Sequence, residues 1–248
     1  DVPPGVGGDS GIGRAVAIGF AKEGADVAIL YLDVTEDAAD TRRHIEAEGR
    51  RCLAIAGDIG DPAFCAAAVQ RVAQELGRLD ILVNNAGVNI VDRNWDKLTP
   101  ESIHYMVSGN LIAPMYCVTI ALPFMRAQQD GVLIHTASMA GRFIGGVSGP
   151  IYVSAKHGMV AMSHGLNMQE CVNGIRSTVF LPGEVATPIL DQRPNPVGPE
   201  VRARMVQPAD CGDLIRYIAC LPKHVVMNEV HLAPTWNRGY VASLERKL

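Results

Sequence analysis

Short apolar runs alternate with stretches of helical period along nearly the whole chain, and few folds accept that order. The runs Asp26–Tyr31, Cys52–Ala56, Ile81–Val83, Val132–His135, Ser177–Phe180 and Val225–Leu232 are too short for helices and read as buried strands. Helical patterns lie between them at 11–24, 35–48, 62–77, 99–129, 153–173 and 199–219. A strand that follows a strand through a helix runs parallel to it, because the crossover is right-handed. The pattern therefore predicts an α/β fold, a doubly wound parallel sheet with helices on both faces. Ligands of such a sheet sit beyond the carboxyl ends of its strands. No Ser/Gly or charged linker divides the 248 residues, so the chain reads as a single domain over 1–248.

Composition narrows the function classes. The chain is 48% hydrophobic and 19% charged with a formal net charge of −4, which excludes disorder and disfavours a nucleic-acid partner. The six cysteines show no C-x-x-C and no regular spacing, so they read as small apolar residues in a reduced, cytoplasmic setting. No paired His or Cys spacing supports a metal site. The start, Asp1-Val2-Pro3-Pro4-Gly5, lacks the basic and apolar regions of a signal peptide. Residues 105–125 carry no charged side chain over 21 positions, yet include Ser108, Gly109, Asn110, Thr119, Pro114 and Pro123. That mixture reads as a helix buried in the core or at a subunit contact, with no membrane span.

Five short motifs follow expected strand ends. Gly7-Gly8-Asp9-Ser10-Gly11-Ile12-Gly13 opens the first helical pattern, where free N–H groups and the helix dipole favour an anion such as a pyrophosphate. A plain strand–helix turn would look the same. Asn84-Asn85-Ala86-Gly87 follows the run 81–83. Ser138 lies beyond the run 132–135 and 14 residues before Tyr152. In Tyr152-Val153-Ser154-Ala155-Lys156 the phenol and the ammonium share one helix face, and a nearby ammonium stabilises a phenolate. Pro182-Gly183-Glu184-Val185-Ala186-Thr187 follows the run 177–180.

Together, in this order, the motifs resemble those of the short-chain dehydrogenase/reductase family, over roughly residues 6–236. The resemblance implies a Rossmann-like fold and an NAD(P)-dependent oxidoreductase that interconverts a secondary alcohol and a ketone. Gly7, Ser10, Gly11, Ile12 and Gly13 would border the cofactor pyrophosphate. Asp58 and Ile59 would meet the adenine, and Asn85, Ala86 and Gly87 the adenosine half. Pro182, Gly183, Val185 and Thr187 would hold the nicotinamide. Tyr152 would be the general acid/base, Lys156 would bind the nicotinamide ribose, and Ser138 would bind the substrate carbonyl. Asn110 would hold a relay water through its main-chain carbonyl. The family also implies a homodimer or homotetramer, with the segment approximately 188–208 as substrate loop.

Three further readings come from the residues. Pro114 has no N–H for the carbonyl four residues back, so the Asn110 carbonyl is released and a kink is expected, serving either the relay water or packing alone. Asp33 stands 20 residues after Gly13, where a carboxylate takes a ribose 2′-OH, which favours NAD over NADP. Met139, Ile144, Val147, Pro150 and Ile189 could form an apolar substrate wall or ordinary loop packing. His157 and His164 read as structural. The sequence departs from the family at its first strand, where Pro3 and Pro4 remove two ladder donors. A rival reading is a non-catalytic cofactor-binding regulatory or scaffold protein on the same fold; an epimerase or dehydratase is a lesser one.

Overall fold

A computed structural model of the protein describes residues 8–192 and 197–245. Gly7 and the expected first strand with Pro3 and Pro4 lie outside the described residues, as does part of the proline-rich segment at 193–196. The order is α1 (Gly11–Lys22), β1 (Val27–Tyr31), α2 (Thr35–Ala47), β2 (Cys52–Ala56), α3 (Pro62–Leu76), β3 (Ile81–Asn84), α4 (Pro100–Val107) and α5 (Ala113–Gln128). There follow β4 (Gly131–Thr136), α6 (Pro150–Glu170), β5 (Ile175–Pro182), α7 (Pro199–Arg202), α8 (Pro208–Ala219), β6 (Glu229–Leu232) and α9 (Arg238–Glu245).

Every strand pairing among the described residues is parallel. β1 pairs with β2, and β3, β4, β5 and β6 form a second sheet in that order. The period-2 alternation of a strand sorts its side chains between two helical layers. On β4, Val132 and Ile134 join a cluster with Val16 and Phe20 of α1 and Ile215 of α8, whereas Leu133 packs with Val118, Leu122 and Met125 of α5. On β5, Phe180 faces the first layer and Val179 and Leu181 face Met159 and Val160 of α6. Each fully buried apolar side chain of this kind contributes about 1.5–3 kcal/mol. Between β1 and β3 lies a cavity of about 530 Å³ bordered by Ile29, Leu82, Val16 and Val72.

Several boundaries differ from the sequence reading. Strand β6 covers only Glu229–Leu232, so 225–228 is not strand. The pattern 199–219 is two helices, because Val206 leaves the helical path to bridge Val185 and Pro208 starts α8 afresh. Helix α6 begins at Pro150 rather than 153, and its last turn, Cys171–Asn173, is a 3₁₀ helix. The pattern 99–129 starts at Pro100, capped by Thr99, and widens at Ser108–Ile112 into a π turn. There Ala113 N–H reaches back five residues to Ser108 O. A widened turn is one way to accommodate Pro114, which has no N–H to return to Asn110. By length and composition alone, Pro100–Gln128 could cross a membrane. In this fold α5 packs on α3, β3 and β4, with Ala113, Ala121 and Met125 fully buried.

Candidate active site

A pocket opens where β4 and β5 end, and segments far apart in sequence converge on it. Ile12, Asn85, Gly87, Thr136, Ser138, Tyr152, Lys156, Pro182, Gly183, Val185 and Thr187 all line it. Ser138 stands two residues beyond β4 with an extended backbone. Its Oγ accepts from Ala140 N–H at 3.1 Å, which orients the hydroxyl while its hydrogen stays available to donate. Tyr152 and Lys156 enter from the first two turns of α6, with Lys156 Nζ 5.4 Å from the centre of the Tyr152 ring.

Lys156 is 2% exposed, and its Nζ donates to Thr136 O at 3.0 Å. Burial disfavours the ammonium and lowers its pKa from 10.5 to about 7. An anion placed in the pocket would restore the charge. Thr136 Oγ1 is buried beside this lysine and has no hydrogen-bond partner among the described residues.

Asn110 is fully buried in the π turn. Its side chain donates to Val88 O and Met106 O, both at 2.8 Å, and accepts from Val88 N–H at 3.2 Å. Those bonds fix the backbone just after the turn Asn85-Ala86-Gly87. A Cβ on Gly87 would stand 3.2 Å from Asn110 Oδ1 and 3.4 Å from Lys156 Nζ, so glycine lets that turn pass close to both. At the other end of the motif series, Thr187 is buried and its N–H donates to Val185 O at 2.8 Å. The strand-like contact of Val185 with Val206 pins this stretch through Ala186 N–H to Val206 O and Val206 N–H to Glu184 O.

The glycine turn is held from α2. Arg14 Nε donates to Asp9 O at 3.0 Å and to Thr41 Oγ1 at 2.9 Å, while Thr41 Oγ1 donates to Asp9 O at 2.7 Å. Arg14 also pairs with Asp37 and Asp40. Gly11 adopts φ +52 where α1 begins, a conformation that favours glycine. The N–H groups of the first turn of α1, Gly13 among them, have no partner within the helix, which suits a phosphate. Ser10 is the extended N-cap and makes no side-chain cap bond. Ile12 reaches the pocket, whereas Gly13, Ile59, Asn85 and Ala86 border the larger cavity.

Asp33 and Asp58 stand apart from the pocket, both exposed near the ends of β1 and β2. Asp58 Oδ1 accepts from Gly60 N–H at 2.7 Å. Of the expected apolar wall, Val147 and Ile189 line the pocket; Met139, Ile144 and Pro150 do not. Met139 lies against Gly183 instead, where a Cβ would meet its sulfur at 3.1 Å. His157 bonds to Val153 O within α6, and His164 joins Arg142 on Glu229.

Among the pocket residues, Asn89, Arg93 and Ser148 escaped the sequence reading. Asn89 Nδ2 donates to Ser148 O at 3.2 Å and Arg93 Nη1 to Val147 O at 3.1 Å, tying the loop after β3 to the loop before α6. The place of Asn89 and Arg93 just after the end of β3 was the available signal. Glu184, also in the pocket wall, pairs with Arg238 of α9, a helix the periodicity did not suggest.

Comparison with known proteins agrees with the fold and identifies the family. A family model for the short chain dehydrogenases matches residues 6–197. General stress protein 39 of Bacillus subtilis (strain 168) is 38% identical over 184 residues, 74% of this chain and 63% of that protein. The chain thus spans less than two thirds of that relative's length. YhxD of Bacillus subtilis (strain 168), named an uncharacterized oxidoreductase, is 33% identical over 239 residues, 91% of this chain and 78% of that protein. Among solved structures, a short chain dehydrogenase of Burkholderia cenocepacia J2315 in complex with NADP is 30% identical. It superposes with a TM-score of 0.79 over 91% of this chain and 92% of the other. Fold, converging motifs and relatives agree: the chain belongs to the short-chain dehydrogenase family.

Proposed function

We propose that the protein is an NAD(P)-dependent oxidoreductase that interconverts a secondary alcohol and a ketone. One observation carries the reading: Ser138, Tyr152, Lys156 and Thr187, from three separate segments, line a single pocket at the strand ends. The residues present fit a dinucleotide. Gly87 leaves a space that a side chain would fill, Gly11 turns the chain into the N-terminus of α1, and Lys156 is a buried cation that an anion would recharge. The Burkholderia relative in complex with NADP supports the same class of cofactor.

When bound, the nicotinamide supplies or accepts the hydride. Gly11, Ile12 and Gly13, with Ser10, would border its pyrophosphate. Asn85, Ala86 and Gly87 border the adenosine, and Asp58 with Ile59 the adenine. Pro182, Gly183, Val185 and Thr187 hold the carboxamide end. Ser138 Oγ–H donates to the substrate oxygen and fixes its direction. Tyr152 Oη–H gives its proton to that oxygen in reduction and recovers it in oxidation. The Lys156 ammonium stabilises the phenolate so formed. Asn110 positions the turn at Gly87 and, through its main-chain carbonyl, a relay water to Lys156.

Asp33, past the end of β1, favours NAD through the ribose 2′-OH. The substrate is a small carbonyl compound or alcohol, approached through Val147 and Ile189. A dimer or tetramer in the cytoplasm completes the reading, supported by the outward Met168 and Val172 at the end of α6 and by six free cysteines. Fluorescence titration with NADH and with NADPH tests the core of it. Saturable binding of either, followed by turnover in a screen of ketones, is expected. Binding of neither would sink the reading, and binding without any turnover would leave a cofactor-binding protein.

A further inference from the structure

Cys65 on α3 and Cys117 on α5 meet in the interior, with Sγ atoms 3.7 Å apart and exposures of 1% and 8%. Cys65 Sγ–H also donates to the main-chain carbonyl of Ile59 at 3.1 Å. The Cys117 thiol, as donor to Cys65, holds the Cys65 pKa below its ordinary value, while its own is raised. The pair thus brings two thiols into direct contact, the proximity that disulfide chemistry needs.

We propose that Cys65 and Cys117 are a thiol–disulfide modification site, oxidised by a peroxide, whose closure weakens dinucleotide binding. The Cys65 thiol gives up its proton, its sulfur attacks one peroxide oxygen, the O–O bond breaks, and a sulfenic acid and, with that proton, a water result. Cys117 sulfur then attacks the sulfenic sulfur, the S–O bond breaks, and water leaves with the Cys117 proton. Two thiols and one hydrogen peroxide become one disulfide and two waters, and the pair loses two electrons.

The mechanical consequence follows from what surrounds Cys65. A disulfide has no S–H, so the Ile59 carbonyl loses its donor. Phe64, the neighbour of Cys65, packs so tightly on Gly57 that a Cβ there would lie 2.2 Å from its ring. Asp61 caps the same helix end, accepting from Ala63 N–H at 2.8 Å. Drawing Cys65 toward α5 therefore moves the turn 57–61 as a unit. That turn carries Asp58 and Ile59, so the effect on binding rests on the function proposed above.

The experiment treats the full chain with hydrogen peroxide, alkylates remaining thiols, and maps disulfides by peptide mass. NADH and NADPH titrations and hydrogen exchange over residues 57–65 are run on the same samples, before and after reduction. A Cys65–Cys117 cross-link, faster exchange at 57–61 and dinucleotide affinity lowered about fivefold or more, all reversed by dithiothreitol, are expected. Cys65→Ser and Cys117→Ser should each abolish the response while binding dinucleotide as the reduced protein does. Oxidation confined to the exposed Cys171 and Cys220 would overturn the site. A mapped cross-link with unchanged exchange and affinity would overturn the coupling. If the reduced protein binds neither dinucleotide, the functional reading fails separately, while mapping and exchange still decide the pair.

Discussion

The two sheets formed by the described residues hold the groups at their strand ends in opposite ways. In the β3–β6 sheet, every residue of β4 is buried, and β5 is buried throughout except at Arg176. A chain of polar contacts crosses it without reaching solvent. Asn84 Nδ2 donates to His135 Nδ1 at 3.0 Å, His135 Nε2–H donates to Ser177 Oγ at 3.1 Å, and Ser177 Oγ meets Ser163 Oγ of α6 at 2.7 Å. Burial pushes His135 down to a pKa of about 3, so the ring stays neutral and its one N–H faces Ser177. Asn167, one turn past Ser163, brackets both backbone groups of Ser177. The helix that presents Tyr152 and Lys156 is thereby locked in register to the strands. In the β1–β2 sheet, the strands are half-buried and their terminal carboxylates, Asp33 and Asp58, stand in solvent. Under the proposed function, that difference is a division of labour: reacting groups on a rigid, dry scaffold, and cofactor choice on a rim that can change cheaply.

The sharpest way to break that comparison is Tyr152→Phe. In the proposed reaction it removes the proton donor and nothing else from the rigid half. Turnover should fall by about 10²–10⁴-fold while NADH affinity holds. Steady-state kinetics with a parallel titration read both numbers. Undiminished turnover would mean that the rigid half is packing rather than chemistry.

Lys156 tests the same scaffold through stability. Its folded pKa of about 7 lies below the ordinary 10.5. Below pH 7 the lysine is charged in folded and unfolded chains alike, and the full cost of burying that charge is present. Between about pH 7 and 10.5 the folded chain gives up a proton that the unfolded chain keeps, so stability rises with pH. Thermal melts should therefore climb by several degrees from pH 6.5 to 9, at about 2–4 °C per kcal/mol for a chain of this size. Lys156→Met should flatten that climb, melt above the parent at pH 6.5, and abolish turnover. A parent curve flat with pH would place the ammonium in water.

What the sequence disclosed follows the same division. Strands β1 to β5 were legible because parallel strands buried on both faces are continuous apolar runs. The pocket residues were legible because each motif follows a strand end. Local pattern could not reveal Val206 leaving the helical path, since that depends on a bridge to Val185 across 21 residues. The position after β3 marks Arg93 and Asn89 as near the site, but their contacts, like the Glu184–Arg238 pair, arise only when loops meet. Pro114 did announce an irregular helix, but not that the missing N–H would be met by a π turn with Asn110 buried in it.

On the exposed rim, Asp33→Ala should shift the ratio of NADP to NAD affinity by about tenfold toward NADP, the worth of one charge-assisted hydrogen bond. Arg14 is the cation at the glycine turn, but Asp37 and Asp40 already share its guanidinium, which limits the gain. Paired titrations measure the ratio. No change would remove Asp33 from the site and with it the NAD preference, leaving the catalytic half untouched.

The smallest expected effect lies at the floor of the pocket. Thr136 is 6% exposed, its carbonyl holds Lys156, and its hydroxyl has no hydrogen-bond partner among the described residues. A buried hydroxyl without a partner costs the folded chain about 1 kcal/mol or more. Thr136→Val keeps the branched shape that suits β4 and deletes only that hydroxyl. The ligand-free variant should melt about 2–4 °C above the parent. Adding NADH should then raise its melting temperature by less than it raises the parent's, because a bound ligand or its water can use the hydroxyl only in the parent. A lower melting temperature without ligand would show that the hydroxyl is already satisfied. Equal NADH shifts in both proteins would show that it is packing, and that even the dry half contains polar atoms that serve no ligand.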